Sequence, residues 1–202
     1  MMIEVKIVII WIVISYLFGS IPWALIIGKV FFNKDIREYG SHNLGGTNAA
    51  RVLGLPYGIA VILLDGLKAL IFILIGKHFN VENIGFIALF TCIGHCYPIF
   101  ADFKGGKAVA TSFGYLFGLS VLFKNALIFL LPFLFFIVIL LIFKMISLAS
   151  MSSLVLASIY LLFIDFKIAI VFIILTLFII YRHRTNIQRI LNNTESKINL
   201  KR

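Results

Sequence analysis

The chain has 202 residues, 62% of them apolar and 13% charged, where soluble domains run about 45–50% apolar and about 25% charged. With a mean hydropathy of +1.11, these values exclude a soluble globular domain, a disordered chain and a disulfide-stapled secreted fold. They leave one integral membrane domain over residues 1–202, with room for roughly five to seven helices at about 20 apolar residues per span.

The first apolar stretch covers residues 5–32. It is too long for a signal peptide, no small-residue cleavage site follows, and Glu4 and Lys6 make a poor basic leader. The expectation is a retained helix bent at Gly19 and Pro22. Further apolar runs cover about 52–76, 84–101, 108–122, 125–143, 147–164 and 166–181. The reading is an all-α polytopic membrane bundle of about seven transmembrane helices. The runs over 108–122 and 166–181 are short for a full crossing.

The formal net charge is +10. In a soluble protein that would suggest nucleic acid. In a membrane protein, Lys and Arg gather on the cytoplasmic side. With the N-terminus outside and seven spans, the inner segments hold 13 of the 18 Lys and Arg residues, from Lys29 to Lys201 and Arg202. The outer ones hold Lys6, Lys77, Lys124 and Lys167, and Lys68 lies within a span. The bias supports a cytoplasmic C-terminus and accounts for the charge without a nucleic-acid partner. Cys92 and Cys96 share one helical face and read as small core residues.

The outer connections are short, whereas the inner ones are rich in Gly, Asn, Ser, Thr and basic residues, so a site is expected at the inner face. The first inner loop, residues 35–54, carries Gly40, Ser41, Asn43, Gly45, Gly46, Thr47 and Asn48, then Arg51. Glycines and small polar residues entering a helix aim backbone amides at an anion; they also make plain turns. In the second inner loop, Lys104-Gly105-Gly106-Lys107 precedes an apolar helix. Two lysines around Gly-Gly suit phosphate, but Ala101 and Ala108 break the pattern of a nucleotide-binding loop. The third turn holds Ser147 and Ser150, which equally suit helix packing. After the last run come Arg182, His183, Arg184 and Asn186. His183 and Asn186 share a face, though a basic juxtamembrane stretch also attracts anionic lipid. Asp65 and Lys68, at i,i+3 inside a span, read as a structural or orienting pair. His42, His78 and His95 are weak signals.

Together, GSIPWALIIGK, GSHNLGGTNAARVLG, LDGLKA, GHCYPIFADFKGGKAVATSFG, the Ser147 turn and RHRTNIQRILNNTE resemble one family, the bacterial acyl-phosphate:glycerol-3-phosphate acyltransferases. The resemblance spans nearly the whole chain. Departures are modest: His42 and Gly46 replace small residues, Ala69 replaces Gly, Thr185 an acidic residue and Asn193 Gly, and Ala108 stands where Gly is frequent. The resemblance implies transfer of a fatty acyl group from long-chain acyl phosphate to the 1-hydroxyl of glycerol 3-phosphate, giving lysophosphatidate and phosphate. That is the first step of phospholipid biosynthesis, here in the bacterial cytoplasmic membrane with the site facing the cytosol. It assigns Ser41, Thr47, Asn48 and Arg51 to a first motif, and Lys104, Gly105, Gly106, Lys107 and Thr111 to a second. Ser147, with Ser150, belongs to a third, and His183 and Asn186 close the site. Arg51, Lys104, Ser147, His183 and Asn186 are the candidate catalytic residues, with no cofactor and no metal expected.

The residue chemistry suits that activity. Arg51, Lys104 and Lys107 offer charge-assisted hydrogen bonds to phosphate, and the Gly105 and Gly106 amides offer a site for acyl phosphate or an oxyanion. The residues five beyond His42, His78, His95 and His183 are Thr47, Asn83, Phe100 and Gln188, so a His-x-x-x-x-Asp base is excluded. The proton acceptor is then either His183 or the substrate's own phosphate, the latter being preferred. A small anion transporter or lipid-binding membrane protein is the competing class. No internal repeat supports it, and only Asp65 and Lys68 favour it.

Overall fold

The computed structural model describes residues 2–198. Lys201 and Arg202, counted above among the inner basic residues, lie outside them. Among the described residues every regular element is helical. The α-helices are α1 (Met2–Gly19), α2 (Trp23–Phe32), α3 (Gly46–Leu53), α4 (Leu55–His78), α5 (Ile84–Ile87), α6 (Leu89–Cys96), α7 (Val109–Leu122), α8 (Leu127–Phe143), α9 (Ile146–Leu161), α10 (Phe166–Arg182) and α11 (Arg184–Leu191). Each expected apolar run falls on helix. Among the described residues three stretches are long and apolar enough to cross a membrane: Val5–Phe32, Leu55–His78 and Ile84–Ala101. A fourth arises if α10 and α11, bent by 60°, are taken together. Helices α7, α8 and α9 are apolar but shorter. The 14 residues of α7 rise about 21 Å, against about 30 Å of hydrocarbon.

The chain divides into two compact units after Leu122. In the first, α1 packs on α6, α3 on α4, and α4 on α7. Small residues let these backbones approach. A Cβ on Gly114 of α7 would collide with the Gly66 carbonyl of α4, and one on Gly94 of α6 with the Tyr16 carbonyl of α1. One on Gly58 of α4 would collide with Ala50 of α3. Helices in lipid gain nothing from burying apolar surface against each other, so such close approach carries much of their association.

Broken helices free carbonyls that lipid cannot solvate. The bend expected at Gly19 and Pro22 is a break between α1 and α2. The run over 84–101 is broken into α5, α6 and a 3-10 turn. Side chains fill these gaps. Ser15 Oγ donates to the Ile87 carbonyl at 2.9 Å, Tyr115 Oη to Gly85 at 2.8 Å, and Lys68 Nζ to Gly19 at 3.1 Å. An apolar core of α2, α3 and α4 residues, including Leu25, Ile27, Ala49, Leu53 and Val61, closes around Ile36, Leu44 and Ala101. It seats the first inner loop against the rest of the unit.

In the second unit α9 packs between α8 and α10. Ala149, Leu154, Ala157 and Leu161 of α9, and Ala169, Phe172, Leu175 and Ile179 of α10, are buried. A hydroxyl pair, Ser158 with Thr176 at 2.9 Å, joins the two helices.

Gly114→Ala should lower thermal stability in detergent by about 1–3 kcal/mol, because the obstacle is backbone and cannot rotate away. Gly45→Ala should leave it unchanged, since nothing lies within 4 Å of the new methyl. Melting curves of the two purified variants check the contrast.

Candidate active site

In the first unit the two glycine loops are strapped together by a residue that sequence reasoning passed over. Arg37 is held by Asp35, with Nη2 to Oδ2 at 2.7 Å and Nε to Oδ1 at 3.0 Å. Its Nη1 then donates to the Ala101 carbonyl and to Asp102 Oδ2, each at 3.1 Å. The Arg37 hydrogen bond holds the Asp35 carboxyl below the usual carboxylate range. The local Asp-x-Arg spacing was the available sign. The reach to residues 101 and 102 had none, because it spans 64 positions.

Asn48 is buried and committed. Its Oδ1 accepts from the Ser41 amide at 2.9 Å, and its Nδ2 donates to the Ile36, Tyr39 and Asn43 carbonyls at 3.0–3.1 Å. It clamps the loop from within, with the left-handed Gly40 against its side chain. Thr47 and Arg51 stand exposed on α3, and the Ser41 side chain is exposed before it. The Arg51 stem runs over Gly40, whose hypothetical Cβ would lie 3.4 Å from Arg51 Cδ. Among the described residues neither Arg51 nor the Lys104 ammonium pairs with a carboxylate.

The lysine–glycine loop corrects one expectation. The Gly105 amide donates to the Cys96 carbonyl at 3.2 Å and the Gly106 amide to His95 at 3.1 Å. These amides fold the loop back on the end of α6 and are not aimed at an anion. The Gly-Gly pair serves close approach instead: a Cβ on Gly105 would meet the His95 and Cys96 carbonyls, and one on Gly106 the His95 ring. Lys104 is exposed and Lys107 half-buried. Thr111, on α7, is fully buried with a hydroxyl that has no hydrogen-bond partner among the described residues.

In the second unit the organising group is Glu195, also passed over. Its Oε1 accepts from Ser147 Oγ at 2.7 Å and Asn186 Nδ2 at 2.6 Å, and its Oε2 accepts from Arg189 Nε at 2.7 Å. Thus Ser147 and Asn186, 39 positions apart in sequence, meet on one carboxylate. Burial pushes the Glu195 carboxyl up, but the hydrogen bonds from Ser147, Asn186 and Arg189 outweigh it and hold it below its ordinary value. Ser150 is turned inward, donating to the Ile146 carbonyl at 2.7 Å. His183 is buried at the 60° corner between α10 and α11. Its Nδ1 lies 2.8 Å from the Ile179 carbonyl. A carbonyl only accepts, so Nδ1 carries a proton.

Three departures from the family pattern have a common geometry. His42, Ala108 and Asn193 all stand at positive φ, between 55° and 58°, where glycine is the unstrained residue. His42 offsets this with a 2.8 Å contact from Nδ1 to the Arg37 carbonyl.

A family model described as Glycerol-3-phosphate acyltransferase matches residues 9–193. A glycerol-3-phosphate acyltransferase of Enterococcus faecalis is 43% identical over 199 residues, covering 95% of this chain and 92% of that protein. One from Geobacillus sp. is 51% identical over 190 residues, covering 91% and 92%. The fold matches the crystal structure of PlsY (YgiH), an integral membrane glycerol 3-phosphate acyltransferase, in its glycerol 3-phosphate form. The TM-score is 0.86 and the identity 36%, covering 95% of this chain and 96% of that one. Its lysophosphatidic acid form matches with a TM-score of 0.82. The chain therefore belongs to the glycerol-3-phosphate acyltransferase family, as an all-helical integral membrane member of the PlsY type.

Proposed function

We propose that this acyltransferase moves a fatty acyl group from long-chain acyl phosphate to the 1-hydroxyl of glycerol 3-phosphate, working as a single domain in the cytoplasmic membrane. The observation that carries the reading is the pair of glycine loops strapped by Arg37, from which Arg51 and Lys104 stand exposed without carboxylate partners among the described residues. Cations displayed in this way suit phosphorylated substrates, one a lipid and one a water-soluble dianion. Lysophosphatidate, the product, is what the second PlsY structure holds. About seven spans, an outside N-terminus and a cytosol-facing site are the arrangement that the basic-residue bias favours.

In the reaction the glycerol 3-phosphate hydroxyl oxygen attacks the acyl carbon, and the bond from that carbon to the bridging phosphate oxygen breaks. The hydroxyl proton passes to a phosphate oxygen, so inorganic phosphate leaves with both the electron pair and the proton. No protein base is required, and positioning supplies most of the acceleration. In this reading Arg51, Lys104 and Lys107 hold phosphate, Ser41, Thr47 and Thr111 support them, and Ser147, Asn186 and His183 orient glycerol 3-phosphate.

Purified protein given glycerol 3-phosphate and palmitoyl phosphate should release phosphate and form lysophosphatidate, and should do neither with palmitoyl-CoA. Activity with the thioester alone would overturn the donor assignment. Arg51→Ala and Lys104→Ala should each lose at least 100-fold in rate with unchanged melting temperature; wild-type rates in both would remove the proposed site. His183→Ala should raise KM for glycerol 3-phosphate more than it lowers kcat. A collapse of kcat at unchanged KM would make His183 the base.

Glu195→Gln should cost about 1–3 kcal/mol of stability at pH 7, because the amide turns a donor toward Arg189. A lowered carboxylate pKa contributes stability above the unfolded value, and that contribution fades as pH falls through the folded one. The melting-temperature gap between wild type and Glu195→Gln should therefore be full at pH 7 and shrink as pH falls below the ordinary 4.5.

A further inference from the structure

Three charged or titratable side chains of the first unit are buried together, and the chemistry above does not use them. Lys68 Nζ lies 2.8 Å from Asp65 Oδ1, 3.1 Å from the Gly19 carbonyl and 3.4 Å from His95 Nδ1. Asp65 Oδ1 lies 3.4 Å from the same His95 nitrogen. Asp65 is 1% exposed, Lys68 3% and His95 7%. Two charges held away from water are costly unless they pair well and serve a purpose. Capping Gly19 explains Lys68. It does not explain why the pair reaches His95.

His95 is the residue on which the lysine–glycine loop rests. Its carbonyl accepts the Gly106 amide. Its ring lies where a Cβ on Gly106 would have to go, and the three nearest atoms to that position are all imidazole atoms. One side chain thus sets the distance between α6 and the backbone that links Lys104 to Lys107. An imidazole held only by packing could swing about χ1. Here Nδ1 is fixed by the charge pair, either donating to Asp65 or accepting from Lys68.

We propose that Asp65 and His95 form a positioning pair for the Lys104–Lys107 loop. Asp65, balanced by Lys68, locks the His95 ring, and the ring fixes the height of Gly106. This rests on the reading of the loop as a phosphate holder. Neither residue touches substrate; both act through the loop, so their effect falls mainly on KM.

The test is a pair of double-mutant cycles on full-length protein, assayed with glycerol 3-phosphate and palmitoyl phosphate, with melting temperature measured in parallel. Gly106→Ala alone should raise KM at least tenfold, as the methyl displaces the ring. In a His95→Ala background the same methyl has room and should change KM less than twofold. Asp65→Asn should raise KM about tenfold in wild type and less than twofold in His95→Ala. Should Asp65→Asn fail to fold, the charge-neutral pair Asp65→Asn with Lys68→Met replaces it in the same cycle. A merely structural role would lower the melting temperature alike in both backgrounds and leave the KM costs additive. Additive costs, together with lost activity in Lys104→Ala, overturn the positioning pair and leave the loop's role standing. Full activity in Lys104→Ala overturns both.

Discussion

An ammonium group withdrawn from water needs acceptors for its protons, and Lys68 finds them on two other helices and its own. It takes a carboxylate one turn back on α4, the terminal carbonyl of α1 and the imidazole edge of α6. The break after Gly19 would otherwise leave a carbonyl in hydrocarbon. Removing either charge strands the other, which makes the pair hard to lose once present. The register of three helices is fixed at that point, and with it the shelf on which the lysine–glycine loop sits.

Around this anchor the molecule uses glycine for nearness more than for turns. Gly58, Gly94 and Gly114 bring helix backbones within reach of one another, and Gly105 and Gly106 bring a loop against a helix end. Apolar contact is undiscriminating in lipid, so alignment is left to such gaps and to a small number of polar links. The two loops that carry cations are then joined by a single guanidinium. Its planar fork grips both oxygens of the Asp35 carboxylate through Nε and Nη2 and leaves Nη1 for the Ala101 carbonyl, a bidentate geometry that a lysine ammonium lacks.

The helices were legible because hydropathy alone predicts them: every expected run lies on helix, and the bend foreseen at Gly19 and Pro22 is there as a break. Span number was less legible, since helices such as α7 fall short of a bilayer by length. The motif residues could be named, but their tasks were only partly readable. Asn48 reads as a ligand in sequence and works as a buried clamp, and the Gly105 and Gly106 amides are spent internally. Arg37, Glu195 and His95 were missed because each acts on residues far away in the chain, and contacts of that kind leave no periodicity. Where the family pattern has a small residue at 42 and favours glycine at 108 and 193, the backbone gives the reason: all three are left-handed.

The corner at His183 carries a geometric corollary. A helix that turns by 60° after residue 182 advances along its former axis at about half its earlier rate, since each residue still rises about 1.5 Å along the new one. An imidazole at the elbow sits at the level where the advance slows. Because its Nδ1 is spent on the Ile179 carbonyl in the final turn of α10, the ring is tethered to the helix that ends there and not to the one that begins.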